Sequence, residues 1–261
     1  MSVTTDDYLD FCEGVRLLAK VDLAQYKRGQ MERRIRSFAE RRGVTELGNY
    51  LTLLRRSTDE LDAFLDRMTI NVSQLWRHPE QWHTLSEHVL PRLALDGRVR
   101  AWSAGCSYGA EAHTLAAVCR DAIPRVPVTI TGTDIDTRMI ARAREGRFSI
   151  EDARIVPADA LRRHFVAIED GYQARPELRS LLTFEIGDLL RMRIRPAALD
   201  LVMCRNTVIY FTDETRNALH ARLADALRPG GYLVVGATER VADPAACGLE
   251  PAHPFTYRKV A

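Results

Sequence analysis

The segment Ser103-Ala-Gly-Cys-Ser-Tyr-Gly109 sets two glycines among small side chains directly before a helical pattern. Glycine lets a backbone turn sharply and approach a ligand closely, and the helix that follows offers unpaired N–H groups at its start. Such a turn can hold the polar part of a bound molecule, although an ordinary strand-to-helix loop that needs glycine has the same composition. A dinucleotide's pyrophosphate would require a stricter G-x-G-x-x-G, which is absent. Further along, Gly132-Thr-Asp134-Ile-Asp136 ends an apolar run with acidic side chains. At the carboxyl edge of an open α/β sheet, a carboxylate can accept both hydroxyls of a ribose. Either aspartate can instead cap the helix beginning near Thr137, and the two roles are compatible if Asp134 meets the ligand and Asp136 caps.

A third candidate is Cys204-Arg-Asn206-Thr-Val-Ile-Tyr210-Phe211. Arg205 and Asn206 are awkward at a strand end unless something polar uses them, because buried guanidinium and amide groups need partners. Both are therefore expected to point at the same cleft. Tyr210 reads equally as an aromatic packed under the next helix or as a ligand contact. Upstream, Thr69-Ile-Asn71-Val-Ser73-Gln-Leu-Trp76-Arg77-His-Pro79 precedes a helix for which Pro79 is a suitable first residue, so Arg77 is expected on a loop with its side chain available. A plain capping segment is the other reading. His78, His83 and His88 recur every five residues, which scatters them around a helix and assembles no metal ligands. The five cysteines form no C-x-x-C pair, and there is no G-x-S-x-G, H-E-x-x-H or G-x-x-x-x-G-K-[ST]. A zinc site, a hydrolase elbow, a zincin and a P-loop all lose support, and no metal is expected.

These groups need a scaffold, and the chain's texture supplies one. Up to about Leu95 strong helix formers dominate, with helices expected over 4–18, 29–41, 45–54, 58–67 and 79–95, Gly43 as a stop and Thr45 as the next N-cap. In the second of these, Met31, Ile35 and Phe38 share one face while Arg33, Arg34, Arg36 and Arg41 take the complementary arc, so one side packs and the other is basic. After Gly97, short apolar runs alternate with helical patterns, as in βαβ units around a parallel sheet. Strands are expected at 99–103, 128–133, 182–186, 199–204 and 232–236, helices at 109–121, 137–145 and 213–227, and a final pair of short strands between Gly248 and Val260. Arg228-Pro-Gly-Gly231 reads as a stop before the fifth strand, and residues 147–181 break the alternation as an inserted subdomain.

The chain has 261 residues, 46% hydrophobic, which suffices for one or two domains, and its formal charge of +2 is too small on its own to imply nucleic-acid binding, so no nucleic-acid partner is expected. Scattered cysteines, a polar acidic start and the absence of a long apolar run point to a cytoplasmic protein without membrane insertion. No heptad repeat or apolar stripe is evident, so a monomer that meets its partner transiently is expected.

Taken in order, these segments resemble the chemotaxis receptor methyltransferases (CheR-type), which transfer a methyl group from S-adenosylmethionine to chemoreceptor glutamates. The resemblance spans nearly the whole chain. It rests on Tyr26-Lys-Arg-Gly-Gln-Met-Glu-Arg-Arg-Ile-Arg36, Thr69-Ile-Asn-Val-Ser73 with Arg77, Trp102-Ser-Ala-Gly-Cys-Ser107, Thr133-Asp-Ile-Asp136, Asp188-Leu-Leu190, Cys204-Arg-Asn206 with Ile209-Tyr-Phe211, and Leu227-Arg-Pro-Gly-Gly231. No one motif decides it; the ordered set is specific.

The resemblance implies an α/β fold: a Rossmann-like S-adenosylmethionine-dependent methyltransferase domain over 79–261, a helical N-terminal domain over 1–78, and a small inserted β-subdomain over 147–181. It implies cofactor contacts at Asn71, Ser73, Arg77, Glu111, Asp134, Ile135, Asp188, Leu189, Asn206 and Thr207, to which the glycine turn adds Gly105. S-adenosyl-L-homocysteine would be the product. It places Tyr210 near the reacting centre and gives the helix bearing Arg33, Arg34, Arg36 and Arg41 to the acidic helical bundle of a receptor. The chain also departs from the family pattern. Ser107-Tyr-Gly-Ala-Glu-Ala-His-Thr114 stands where S-T-G-E-E-P-Y-S is usual, keeping the second glutamate but losing the first, the proline and the tyrosine, and Asp188 stands where asparagine is usual. The inserted segment lacks the Gly-rich insertion linked to receptor-tether binding, so tether-independent recognition is expected. A receptor glutamate is already ionised near neutral pH and needs no general base, so Arg77 is assigned to position and shield the carboxylate and Tyr210 to donate a hydrogen bond to it. Two other readings fit the same residues: a non-catalytic protein that retains cofactor or product as a ligand, and a methyltransferase for another protein or a small molecule.

Overall fold

The computed structural model describes residues 6–19, 21–68 and 73–260, apart from the side chain of Asp66. Two compact units divide the chain: 1–70 together with Tyr210–Arg216, and 71–209 together with 217–261.

The first unit carries helices α1 (Asp7–Ala19), α2 (Arg28–Glu40), α3 (Leu47–Arg56) and α4 (Thr58–Met68). Its core is aromatic. Phe11 stacks on Tyr50 at 6.0 Å and meets Phe64 edge-on at 5.7 Å, while Phe38 closes against both Tyr50 and Phe64. In α2, Met31, Ile35 and Phe38 are buried at helical spacing, as the pattern requires. The expected cap at Thr45 shifts by one residue: the N-cap of α3 is Glu46, with no side-chain bond to the helix. Leu47 is the first residue of α3 to be buried, and it fixes where the helix starts. The segment after Val208 joins this unit through an antiparallel bridge between Tyr26 and Phe211, with Lys27 N–H donating to Tyr210 C=O at 2.9 Å and Thr212 N–H to Gln25 C=O at 2.9 Å.

The second unit opens with α5 (Pro79–Thr84) and α6 (Leu90–Ala94), joined by a π-helical turn over Leu85–Val89. The helix expected over 79–95 is interrupted: Pro91 has no N–H for the i→i−4 ladder, and the extra residue per turn absorbs that loss. Then come β1 (Val99–Ala104), α7 (Ala110–Ala122), β2 (Val128–Asp134), α8 (Thr137–Glu145), β3 (Arg147–Ser149), α9 (Ala158–His164), β4 (Phe165–Ile168), β5 (Gly171–Ala174), α10 (Pro176–Arg179), β6 (Leu182–Ile186), β7 (Leu199–Cys204), α11 (Asp213–Ala226), β8 (Leu227–Val235), β9 (Leu249–His253) and β10 (Thr256–Lys259). Seven strands form one sheet in the order β6-β2-β1-β7-β8-β10-β9, parallel from β6 to β8, with β10 antiparallel to both neighbours. The central strands are buried on both faces over most of their length and are largely apolar, with Arg100 and Ser103 in β1 and Asp200 in β7 as the polar exceptions. Arg228-Pro-Gly-Gly231 lies inside β8 rather than before it; the register shift between Leu199 and Leu201 takes up the irregular backbone there. Residues 147–174 contribute a separate antiparallel sheet in the order β3-β5-β4. Among the described residues, no helix is long and apolar enough to cross a membrane.

Candidate functional site

From β1 the chain winds to β2 and β6 on one side, then returns to β7 and β8 on the other, so the order reverses between β1 and β7. A crevice at the carboxyl ends of these strands is where an open α/β sheet binds ligands. Gly105, Asp134, Asp188 and Asn206 stand at or just beyond the ends of β1, β2, β6 and β7, four adjacent strands.

Local bonds hold each of them. Gly105 and Cys106 both donate to Thr133 C=O, at 2.8 and 3.0 Å, which folds the glycine turn back over β2. Gly105 has φ +77°, and a Cβ there would lie 2.5 Å from Thr207 Oγ1, so two expected contacts meet only because no side chain separates them. The Asp134 carboxylate accepts from Ser107 N–H at 2.8 Å and from Asp136 N–H at 3.0 Å. Burial raises its pKa, opposed by these two N–H groups and by that of the half-buried Ile135. Asp136 takes the capping role, its Oδ1 accepting from Arg138 and Met139 N–H at 2.9 and 3.2 Å. Gly187 N–H donates to Asp134 C=O at 2.9 Å and brings Asp188 beside that strand end. Asp188 accepts from Leu190 N–H at 2.9 Å and pairs with Arg191 at 3.6 Å, and Leu189 is buried behind it.

Beneath this rim runs a buried polar network. Glu111, in the first turn of α7, accepts from Ser103 Oγ at 2.8 Å and faces Arg205 at 3.5 Å. Burial raises the Glu111 pKa, with Arg205 the main opposing influence. Arg205 was expected to reach the cleft with Asn206. Its guanidinium instead turns inward, donating to Gln81 Oε1 at 2.8 Å and to Arg77 C=O at 2.6 Å, with the Trp82 ring 5.0 Å away. A buried guanidinium needs acceptors, and these are the ones α5 and α7 supply. Trp82 Nε1–H also donates to Arg77 C=O at 3.0 Å, so the backbone of Arg77 is held from two sides. Arg77 itself sits on a bend before α5, half-buried.

The divergent stretch Ser107 to Thr114 is built into the same unit. The Tyr108 hydroxyl contacts the Asp152 carboxylate at 2.8 Å and the Ser73 carbonyl, and Arg142 lies 4.6 Å from its ring. Leu75 N–H donates to Asp152 C=O at 3.0 Å and Trp76 N–H to Thr114 Oγ1 at 3.1 Å. Asp152 and the two altered positions thus tie down the segment leading to Arg77. Asn71 lies outside the described residues.

Sequence reasoning missed Glu239. It is 3% exposed, and its carboxylate accepts from Asn206 N–H at 2.9 Å, Val208 N–H at 3.2 Å and Gly236 N–H at 2.6 Å. Gly236-Ala-Thr-Glu239 reads as any polar turn after a strand; only the fold shows its acid buried.

The remaining predicted residues belong to the helical unit. Burial lowers the pKa of Arg34, reinforced by Arg67, with Tyr210 and Tyr26 also close enough to act on it. Arg36 is held by Asp7 at 2.8 Å and Glu32 at 2.7 Å, whereas Arg41 is exposed against the Phe38 ring at 5.4 Å. Arg33 is exposed and, among the described residues, has no carboxylate partner. No metal-ligating cluster occurs among the described residues.

Residues 6–69 match the family model "CheR methyltransferase, all-alpha domain", and residues 71–250 match "CheR methyltransferase, SAM binding domain". A chemotaxis protein methyltransferase of Listeria innocua is 35% identical over 255 residues, 97% of either chain. That of Escherichia coli is 30% identical over 234 residues, 85% of this chain and 79% of the relative. That of Salmonella typhimurium is 28% identical over 237 residues, 87% of this chain and 81% of the relative. With both domain types matched in order and a relative aligned over 97% of either chain, the chain belongs to the CheR methyltransferase family, as a methyltransferase with an S-adenosylmethionine-binding domain.

Proposed function

We propose that the protein methylates glutamate side chains of chemoreceptors, producing glutamyl methyl esters and S-adenosyl-L-homocysteine, as part of sensory adaptation in chemotaxis. The observation that carries this reading is the row Gly105, Asp134, Asp188, Asn206 along four adjacent strand ends, in a chain whose relatives are chemotaxis methyltransferases. The donor set suits the cofactor. Asp134 would take the ribose hydroxyls, Asp188 the adenine amino group with Leu189 against the ring, and Asn206, Thr207 and Glu111 the amino-acid portion, while Gly105 leaves room for close approach. Asn71 and Ser73 complete the set by resemblance alone.

Bound there, the cofactor supplies a methyl group made electrophilic by its positively charged sulfur. The protein's own part is alignment. A glutamate oxygen is already a competent nucleophile, so holding it in line replaces any general base and can supply several kcal/mol by proximity. Arg77 is assigned to orient and shield that carboxylate, with its backbone fixed by Arg205 and Trp82. Tyr210 is assigned a hydrogen bond to it. Arg33, Arg34, Arg36 and Arg41 are assigned to the receptor's acidic bundle, and the enzyme is expected to act as a cytoplasmic monomer.

The test is incubation with methyl-labelled cofactor and membranes from the same organism. Base-labile label on a membrane receptor is the expected result. Label on a soluble protein or small molecule, or cofactor binding without any transfer, would each overturn the assignment.

A further inference from the structure

We propose that Glu239 is the positioning residue that sets the Asn206–Thr207 loop in its cofactor-binding form, acting through main-chain N–H groups without touching cofactor itself. The proposal rests on reading Asn206 and Thr207 as cofactor contacts. Asn206 is held at φ +58°, a left-handed conformation uncommon for residues other than glycine, though asparagine tolerates it better than most, so the loop depends on bonds that select it. The Glu239 carboxylate provides those bonds by receiving N–H groups on both sides of Thr207, from Asn206 and Val208.

The turn that carries Glu239 does not need this carboxylate for its own closure. Glu239 N–H already donates to Gly236 C=O at 2.9 Å, so beyond its local bond from Gly236 N–H the carboxylate reaches residues 31 and 33 positions away. Nor does the adjacent cation pair with it: Arg240 donates to the Glu239 carbonyl at 2.6 Å and lies 4.2 Å from the Phe255 ring. Gly236 is shaped to the same task. A Cβ there would stand 2.5 Å from Glu239 Oε2 and 2.9 Å from Asn206 N, so only glycine lets the three meet. Both carboxylate oxygens are engaged, Oε2 by Asn206 and Gly236 and Oε1 by Val208. A glutamine, with one oxygen and one NH₂ group, cannot accept at both.

Calorimetric titration of the whole protein with S-adenosylmethionine and S-adenosylhomocysteine tests this, alongside amide ¹H–¹⁵N spectra of the cofactor-free protein. Glu239→Gln should weaken binding of both by about tenfold or more and shift the Asn206 and Val208 amide protons upfield, with most other amides unmoved. It should raise the KM for cofactor while leaving the KM for receptor as it was. Gly236→Ala displaces the same oxygen from a different residue and should reproduce the effect. The double variant should be no worse than the stronger single one, because both break one unit. Asn206→Ala separates the two levels of inference. Should Asn206→Ala weaken cofactor binding while Glu239→Gln and Gly236→Ala do not, the positioning role is wrong and the cofactor reading stands. Should the wild type bind neither compound, both fall.

Discussion

Arg205 Nη2 donates to the main-chain carbonyl of Arg77 at 2.6 Å, and the same guanidinium faces the Glu111 carboxylate at 3.5 Å. One buried cation therefore joins the helix behind the glycine turn to the bend bearing the residue assigned to the acceptor carboxylate. Removing it leaves Glu111 buried without its counter-charge and Gln81 without its donor. Arg205→Ala is expected to cost about 3 kcal/mol in denaturant unfolding. Arg205→Lys, which keeps the charge but loses the planar fork, should restore only part of that. A loss below about 1 kcal/mol for the alanine variant would show that the network contributes no more than a surface pair.

Arg77→Ala separates acceptor positioning from cofactor contact. The bonds that fix this residue are made by its carbonyl, which alanine retains. Truncation should lower methyl transfer by about 100-fold or more while cofactor Kd changes by less than about threefold. Equal losses in the two quantities would reassign Arg77 to cofactor binding alone.

The sheet, its helices and the ends of its strands were legible because each rests on a local pattern: apolar runs of strand length, glycine before a helix, an acid after a strand. Asp136 was resolved only in part, since a cap and a ligand contact look alike until its bonds to Arg138 and Met139 are visible. Arg205 was misdirected for a different reason. The rule that a buried guanidinium needs partners is right, but sequence cannot say whether the partner is a ligand or Gln81, Glu111 and a carbonyl from α5's approach. Glu239 and Asp152 were invisible because each is a lone acid in a polar turn whose partners lie far away along the chain.

Gly105→Ala probes the glycine turn. It asks an alanine to adopt φ +77° and to place its Cβ 2.5 Å from Thr207 Oγ1. The expected cost is about 1–3 kcal/mol in stability, with cofactor affinity reduced as Thr207 is pushed aside. Thr207→Gly in the same background removes the colliding atoms but not the backbone strain, so stability should recover only in part. Full recovery would mean that the left-handed backbone costs nothing here.

His113 carries a pH dependence of predictable sign. The ring is fully buried, Nδ1 lies 2.9 Å from Gly109 C=O, Phe148 and Phe184 pack on it, and Nε2 has no hydrogen-bond partner among the described residues. Burial depresses its pKa to about 4, well below the ordinary histidine value of about 6.5. The unfolded chain therefore takes up this proton first as pH falls. The contribution is intact above pH 6.5, is lost progressively on acidification, and stops changing below about pH 4; in full it amounts to about 3 kcal/mol. His113→Phe should flatten the stability profile across that window relative to wild type, whatever its absolute stability. Parallel profiles for the two proteins would mean that the folded ring takes up its proton at the same pH as the unfolded chain, so that burial does not depress its pKa.

The basic helix makes the sharpest distinction among residues of one charge. Arg36 is engaged by Asp7 and Glu32, while Arg33 is exposed on the same helix. Reversing Arg33 to glutamate removes no internal bond, so stability should hold within about 0.5 kcal/mol while the KM for receptor rises, most steeply at low ionic strength. Reversing Arg36 sets a third carboxylate beside Asp7 and Glu32, so it should also lower stability, by about 1 kcal/mol given the exposure of the pair. Unfolding curves and receptor KM measured at two salt concentrations distinguish the cases. If Arg33→Glu leaves receptor KM unchanged at low salt, α2's exposed face does not meet an acidic partner, and the receptor surface must be sought elsewhere on the molecule.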